Sequence, residues 1–60
     1  MNVNVIFKNK ETDKEEVAEL YLKTEDVACF YKDGYGTYVI MQNGKSYKVT
    51  QTLQQLQGYA

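Results

Sequence analysis

The dipeptide Asn43-Gly44, with apolar residues alternating on both sides, constrains the fold of this chain more than any other feature. Asn and Gly tolerate the positive φ angles of a type I′ turn, so the dipeptide predicts a β-hairpin. A two-residue loop implies a register with three facing pairs: Gln42 with Lys45, Ile40 with Tyr47, and Tyr38 with Val49. The last two pairs would form one apolar face of this hairpin.

Other segments also have the two-residue period of β-strands. Val3, Val5 and Phe7 alternate with their neighbours near the start of the chain. Further strands are predicted at residues 27–32, 37–42 and 45–49, separated by turn-forming residues. The chain contains no proline, so no strand is interrupted.

Residues 16–23 fit two structures. As a helix, the segment would begin with Thr12 and Glu15 as a capping box. As a strand, it would place Leu20 and Leu22 on one face and close a simple hairpin with the first strand. We favour the strand for that reason.

The end of the chain predicts a short helix. Thr52 is expected as its N-cap, with Gln55 as the capping-box partner. Leu53 and Leu56 would share the buried side, and Gly58 is expected to end the helix. Together these elements predict a single domain over residues 1–60, mainly β, as a small antiparallel five-stranded meander or open barrel with a short C-terminal helix.

A chain of 60 residues has a thin core, because it buries only about 60% of the surface that its unfolded chain exposes. Small domains often gain stability from disulfides, metals or association. Cys29 is the only cysteine and the chain has no histidine, so neither an internal disulfide nor a zinc site or other cofactor is expected. Association with a partner remains.

The central strands are apolar on both sides. The turn after residue 32 places Val27, Cys29 and Tyr31 with Tyr38 and Ile40, and leaves a second face made by Phe30, Val39 and Met41. One short helix and one sheet cannot cover both faces. We therefore predict that Phe30, Val39 and Met41 bind a partner, with Tyr35 at the rim, either folded back or exposed as an anchor.

The residues for enzyme chemistry are missing. Without histidine, no His-based triad or general base can form. Cys29 lies in an apolar run and is interpreted as a core residue. Gly34-Tyr35-Gly36 lacks the third glycine of a phosphate loop, and the acidic residues 11–16 lack calcium-loop spacing. We predict no catalytic residue, no metal ligand and no small-molecule substrate.

Charge and hydropathy limit the partners and the compartment. The net charge is −1, and all seven cations are lysines. Because arginine is the main residue for bidentate recognition of guanine and phosphate, its absence argues against nucleic acid as a partner. Residues 1–10 lack the apolar region of a signal peptide, and the longest apolar run, residues 27–31, is too short to span a membrane. A lone cysteine fits a reducing compartment, and we expect the cytoplasm.

The order of motifs over about residues 20–57 resembles two known families. The motifs are Thr24-Glu25-Asp26-Val27, Tyr38-Val39-Ile40, Asn43-Gly44-Lys45-x-Tyr47-x-Val49 and Thr52-Leu53-x-x-Leu56. They are similar to the β-rich core of LytTR-type DNA-binding domains and to the small flagellar protein family FlbD. The resemblance implies a β architecture with a strand at residues 16–23. It transfers no DNA-contact residue, because LytTR domains typically use basic loop side chains and this chain lacks arginine and histidine.

These observations predict a small non-enzymatic interaction or regulatory module. It would act as a homodimer or docked on a larger protein. The alternative is a LytTR-like nucleic-acid-binding domain.

Overall fold

Five antiparallel strands form one open sheet with a short helix on one side in a computed structural model, which describes residues 1–59. This confirms the predicted mainly-β fold class. The elements are β1 (Asn2–Asn9), β2 (Lys14–Tyr21), β3 (Val27–Asp33), β4 (Gly36–Met41), β5 (Ser46–Val49) and α1 (Leu53–Gln57), with a single 3-10 turn at Thr24–Asp26 before β3.

The strands lie in the order β2-β1-β5-β4-β3, which differs from a sequential meander at one connection. β1 pairs with β5, as Val5 lies opposite Val49, so β2 and β3 occupy the two edges of the sheet. The connection between them crosses from one edge to the other. This crossing places Leu22 in the core, where its side chain is only 7% exposed.

The strand interpretation is confirmed for residues 16–21, since β2 pairs with β1 along its whole length, from Asn2 with Tyr21 to Asn9 with Lys14. The strand begins two residues earlier than predicted, and residues 22 and 23 follow it outside the strand. The ladder satisfies backbone groups that a helix would have paired within the segment. In the connecting turn, Asp13 has a positive φ of 58° and its N–H donates to the Asn9 carbonyl at 2.7 Å.

The β4–β5 hairpin has a register one residue away from the predicted one. Its loop contains three residues, Gln42 to Gly44, because the Met41 N–H donates to the Lys45 carbonyl at 2.8 Å. Gly44 has a φ of 90°, which suits a three-residue hairpin loop ending in a left-handed residue. A shift of one residue moves every side chain of one strand to the other face relative to its partner.

As a result, the core lies on the face that sequence patterns assigned to a partner. Thr37 pairs with Val49 and Val39 pairs with Tyr47, so this side of the hairpin is buried. The fully packed side chains are Val3, Leu22, Val39, Val49 and Leu56.

Helix α1 covers this core side and is held by the predicted capping box. The Gln55 N–H donates to Thr52 Oγ1 at 3.1 Å, and the Thr52 N–H donates to Gln55 Oε1 at 2.9 Å. Leu56 is completely buried beneath the helix. The helix ends at Gln57, and Gly58 caps it with a right-handed backbone conformation (φ −68°).

Candidate interaction surface

The two sides of the sheet are covered unequally. Val5, Val49 and Thr37 lie opposite one another on the core side. Because side chains alternate along each strand, the residues between them point to the other side. No helix within residues 1–59 covers that side, which we call the open face: Ile6, Val17, Tyr21, Cys29, Tyr31, Tyr38, Ile40, Ser46 and Lys48.

The middle of the open face is a row of side chains that crosses all five strands. Val17 pairs with Ile6, Tyr38 pairs with Lys48 and Tyr31 pairs with Tyr38. The Val5–Val49 pairing continues to Ile6 and Lys48, which closes the row between β1 and β5. The row therefore reads, in spatial order from β2 to β3, Val17, Ile6, Lys48, Tyr38 and Tyr31.

Much of this row is accessible. Val17 is 58% exposed and Tyr31 is 49% exposed, although both are large apolar or aromatic side chains. The Tyr31 and Tyr38 rings have centroids 5.8 Å apart and planes tilted by 35°, which is an ordinary aromatic packing distance. Next to these rings, Ile40 and Ser46 help to line a shallow depression of about 220 Å³.

Lys48 lies at the centre of the row, on the middle strand, and is only partly exposed. Its aliphatic chain passes over Gly36, the residue two positions before its partner Tyr38. Within residues 1–59, the one salt bridge joins Lys8 and Asp13 at 3.0 Å, so the Lys48 ammonium has no ion-pair partner there. The acidic residue Asp33 pairs with Gly36 across the β3–β4 ladder. Its Oδ1 accepts a hydrogen bond from the Tyr35 N–H at 2.8 Å.

The rim of the open face is charged. Glu15 and Glu19 flank Val17 on β2, and Asp33 ends β3 at the opposite edge. An apolar centre with a polar rim is the usual composition of a protein–protein contact surface.

Three of the four predicted partner-binding residues lie on the core side, and the prediction that their face is exposed is wrong. Val39 is completely buried, and Phe30 and Met41 are partly buried and pack against the core. The grouping of these three residues on one face was right, but the hairpin register joins them to Tyr47 and Val49. Only Tyr35, 84% exposed at the tip of the β3–β4 turn, is fully available.

The interpretation of Cys29 as a core residue is also wrong, because its side chain is exposed on the open face. An irregularity in the β3–β4 pairing between Val27 and Cys29 turns Val27 to the core side and leaves Cys29 opposite Ile40. Sequence reasoning missed Ile6, Val17 and Lys48. The alternation of β1 already separated Ile6 from Val3 and Val5, and this was the signal for an exposed apolar residue.

The described residues contain no group of three or more acidic, cysteine or histidine side chains arranged to hold a metal ion. None of the helical segments in residues 1–59 has the length and hydropathy needed to cross a membrane. Comparison with protein-family models, with curated proteins and with solved structures gave no match.

Proposed function

We propose that this chain is a small non-enzymatic interaction module that docks through its open face onto another polypeptide. The observation that carries the proposal is the central row of the face, where apolar and aromatic side chains on four strands, with Lys48 on the middle strand, have no covering layer. Sheets of this kind are usually covered on their apolar sides by helices or by a second sheet.

The overall dimensions support a missing layer. The accessible surface is 4521 Å². A monomer of 6.9 kDa would be expected to expose about 4000 Å². The radius of gyration, 11.5 Å, is likewise above the roughly 10 Å expected for a chain of this length. The chain therefore exposes more surface than a self-sufficient domain of its size.

The open face is large enough for a stable complex. The molecule measures 35 × 23 × 18 Å, and its thin dimension holds the sheet and helix layers. The face is then on the order of 600–800 Å², close to the roughly 800 Å² that each partner contributes to a standard interface. A contact of this size is sufficient for specific binding without any active site.

The non-enzymatic part of the proposal is supported by the sequence, which lacks histidine. Cys29 is exposed, so a reducing compartment such as the cytoplasm would keep its thiol free, and we place the module there.

Affinity capture with paired variants tests the proposal. Wild-type chain, Ile40→Lys on the open face and Gln54→Lys on the exposed side of α1 would serve as baits in extracts of the cells that encode the chain. We expect a protein that wild type and Gln54→Lys retain and that Ile40→Lys loses. The same set of retained proteins for all three baits would contradict the proposal.

A further inference from the structure

We propose that the free edge of β2 binds an extended segment of another protein by strand addition, and that this segment has a basic residue on each side of an apolar one. The inference rests on the backbone groups along this edge, together with the side chains of Glu15, Val17 and Glu19. It goes beyond the proposed docking through the open face, because it depends on backbone hydrogen bonds at the edge of the sheet.

The backbone groups of β2 that point away from the sheet follow from its ladder with β1. The Leu22 N–H donates to the Met1 carbonyl at 2.8 Å, and the Met1 nitrogen donates to the Leu22 carbonyl at 2.6 Å. Hydrogen-bonded and non-hydrogen-bonded pairs alternate along an antiparallel ladder, so every second residue from Leu20 back to Lys14 is also bonded to β1. The residues between them direct their N–H and C=O groups outward: Glu15, Val17, Glu19 and Tyr21.

The β2 edge is open and regular over its whole length. All eight residues of β2 are exposed, and their register with β1 has no shift from Lys14 to Tyr21. The other edge differs, because β3 has an irregularity between Val27 and Cys29 and helix α1 lies against it. Bulges and covering elements are common means of preventing edge pairing, and β2 has neither within residues 1–59. An extended peptide can therefore add to the sheet at β2.

The side chains along this edge select the charge of the added strand. Glu15 and Glu19 flank Val17 on one side of β2, and all three residues have outward backbone groups. Lys8 lies opposite Glu15 but pairs with Asp13 at 3.0 Å, the one salt bridge within residues 1–59, so both glutamates are free of an ion pair there. Opposite charges that face each other across a ladder stabilise the pairing. The segment therefore needs lysine or arginine opposite each glutamate and an apolar residue opposite the valine.

A basic segment suits this edge better than a second copy of the chain does. β2 carries three glutamates and one lysine, so two β2 edges side by side repel each other. With Val17 opposite Val17 on a two-fold axis, Glu15 of each copy would lie opposite Glu19 of the other. Neighbouring registers still place three glutamates from each copy along one shared ladder. Charged side chains on an edge strand disfavour self-pairing in this way.

The synthetic peptide acetyl-Thr-Lys-Thr-Val-Thr-Lys-Thr-amide supplies the probe. In an antiparallel pairing it places lysine opposite Glu15 and Glu19 and valine opposite Val17, and threonine favours an extended chain. Its charge control has glutamate in place of both lysines. Two further controls carry one N-methyl group, either on the valine, whose N–H would bond to Val17, or on the next threonine, whose N–H would point away from β2. NMR titration of the isotope-labelled chain measures affinity and amide hydrogen exchange.

We expect the lysine peptide to bind about ten-fold or more tightly than the glutamate peptide, because two cross-strand charge pairs change from attractive to repulsive. Amide exchange at Val17 and Glu19 should slow on binding, whereas the Ala18 N–H is already bonded to Val5 and should change little. The N-methyl group on valine should abolish binding, and the one on threonine should leave it nearly unchanged. The Ile40→Lys variant should bind the peptide as wild type does, which separates this edge from the open face.

Three results would overturn the inference. Equal affinity for the lysine and glutamate peptides, or no binding of either, shows that the edge does not select a basic strand. Binding that leaves exchange at Val17 and Glu19 unchanged places the contact elsewhere. Protection of these two amides that grows with chain concentration in the absence of peptide makes the occupant a second copy. Each of these results leaves the docking through the open face intact, because the capture experiment tests that docking separately with Ile40→Lys.

Discussion

Lys48 lies directly over Gly36, with its Cε 2.8 Å from the position that a Cβ on residue 36 would occupy. The two residues belong to neighbouring strands, and Gly36 has a φ of 155°, outside the range that side-chain-bearing residues prefer. A side chain at this position would displace Lys48 and strain the start of β4.

Gly36→Ala is therefore expected to lower the free energy of unfolding by about 1–2 kcal/mol. Gly34→Ala is the matched control in the same turn, because nothing lies within 4 Å of its added Cβ. Its effect should stay within about 0.5 kcal/mol. Urea denaturation measures both, and equal losses for the two variants would count against the Lys48–Gly36 contact.

Val39 and Ile40 are neighbours on β4 that face opposite sides of the sheet. Val39→Lys buries a charge in the core and should cost more than about 4 kcal/mol, a large part of the roughly 3–9 kcal/mol total stability of a 60-residue domain. Ile40→Lys should cost about 1 kcal/mol and leave the chain folded. Thermal melts by circular dichroism distinguish the two, and the reverse order of stability would refute the β4–β5 register.

Lys48→Met removes a charge from the open face and keeps an unbranched side chain. We expect this variant to self-associate, because it enlarges the uncovered apolar area of the face. Analytical ultracentrifugation over a concentration range would reveal the change. The double variant Lys48→Met with Ile40→Lys should return to the monomer, and a Lys48→Met chain that stays monomeric at all concentrations would contradict the role of Lys48 in preventing self-association.

Cys29 should react with a thiol reagent in the folded chain, because its side chain is exposed on edge strand β3. The rate with 5,5′-dithiobis-(2-nitrobenzoate) should be similar in native buffer and in urea. Reaction only after denaturation would place Cys29 in the core, as its apolar neighbours in sequence had suggested. A bound partner should slow the native reaction, which makes the thiol a reporter of the open face.

A DNA-binding measurement tests the alternative function, a LytTR-like nucleic-acid-binding domain. With a net charge of −1 and no arginine, the chain should show no retention on duplex DNA at about 50 mM salt. Fluorescence anisotropy with labelled duplex and a salt series is the measurement. Binding that weakens steeply as salt rises would favour the nucleic-acid function over the interaction module.

The strands and the helix cap were predictable because their signals are local. The alternation in β1, the turn at residues 33–36 and the Thr52–Gln55 capping box each depend on residues a few positions apart. The faces of the sheet were not predictable in the same way. Asn43-Gly44 suits both a two-residue and a three-residue loop, and the choice between them reverses the core and the open face.

The candidate surface depended on that choice. Phe30, Val39 and Met41 were correctly grouped, as were Tyr31, Tyr38 and Ile40, but the two groups exchanged roles. The shifted β4–β5 register added Lys48 to the face. The pairing of β1 with β5 contributed Ile6 and Val17, and no local pattern predicts a pairing between residues near opposite ends of a chain.

The pairing of Val5 with Val49 joins two units that are each contiguous in sequence, the β1–β2 hairpin and the β3–β4–β5 unit. Contacts within each unit close short loops and form quickly, whereas this junction must close a loop of most of the chain. The central row takes Val17 and Ile6 from the first unit, and Lys48, Tyr38 and Tyr31 from the second. A partner on the open face would therefore stabilise the pairing of β1 with β5, and binding would slow unfolding. The binding surface itself would form only when the two units pair, in the last step of folding.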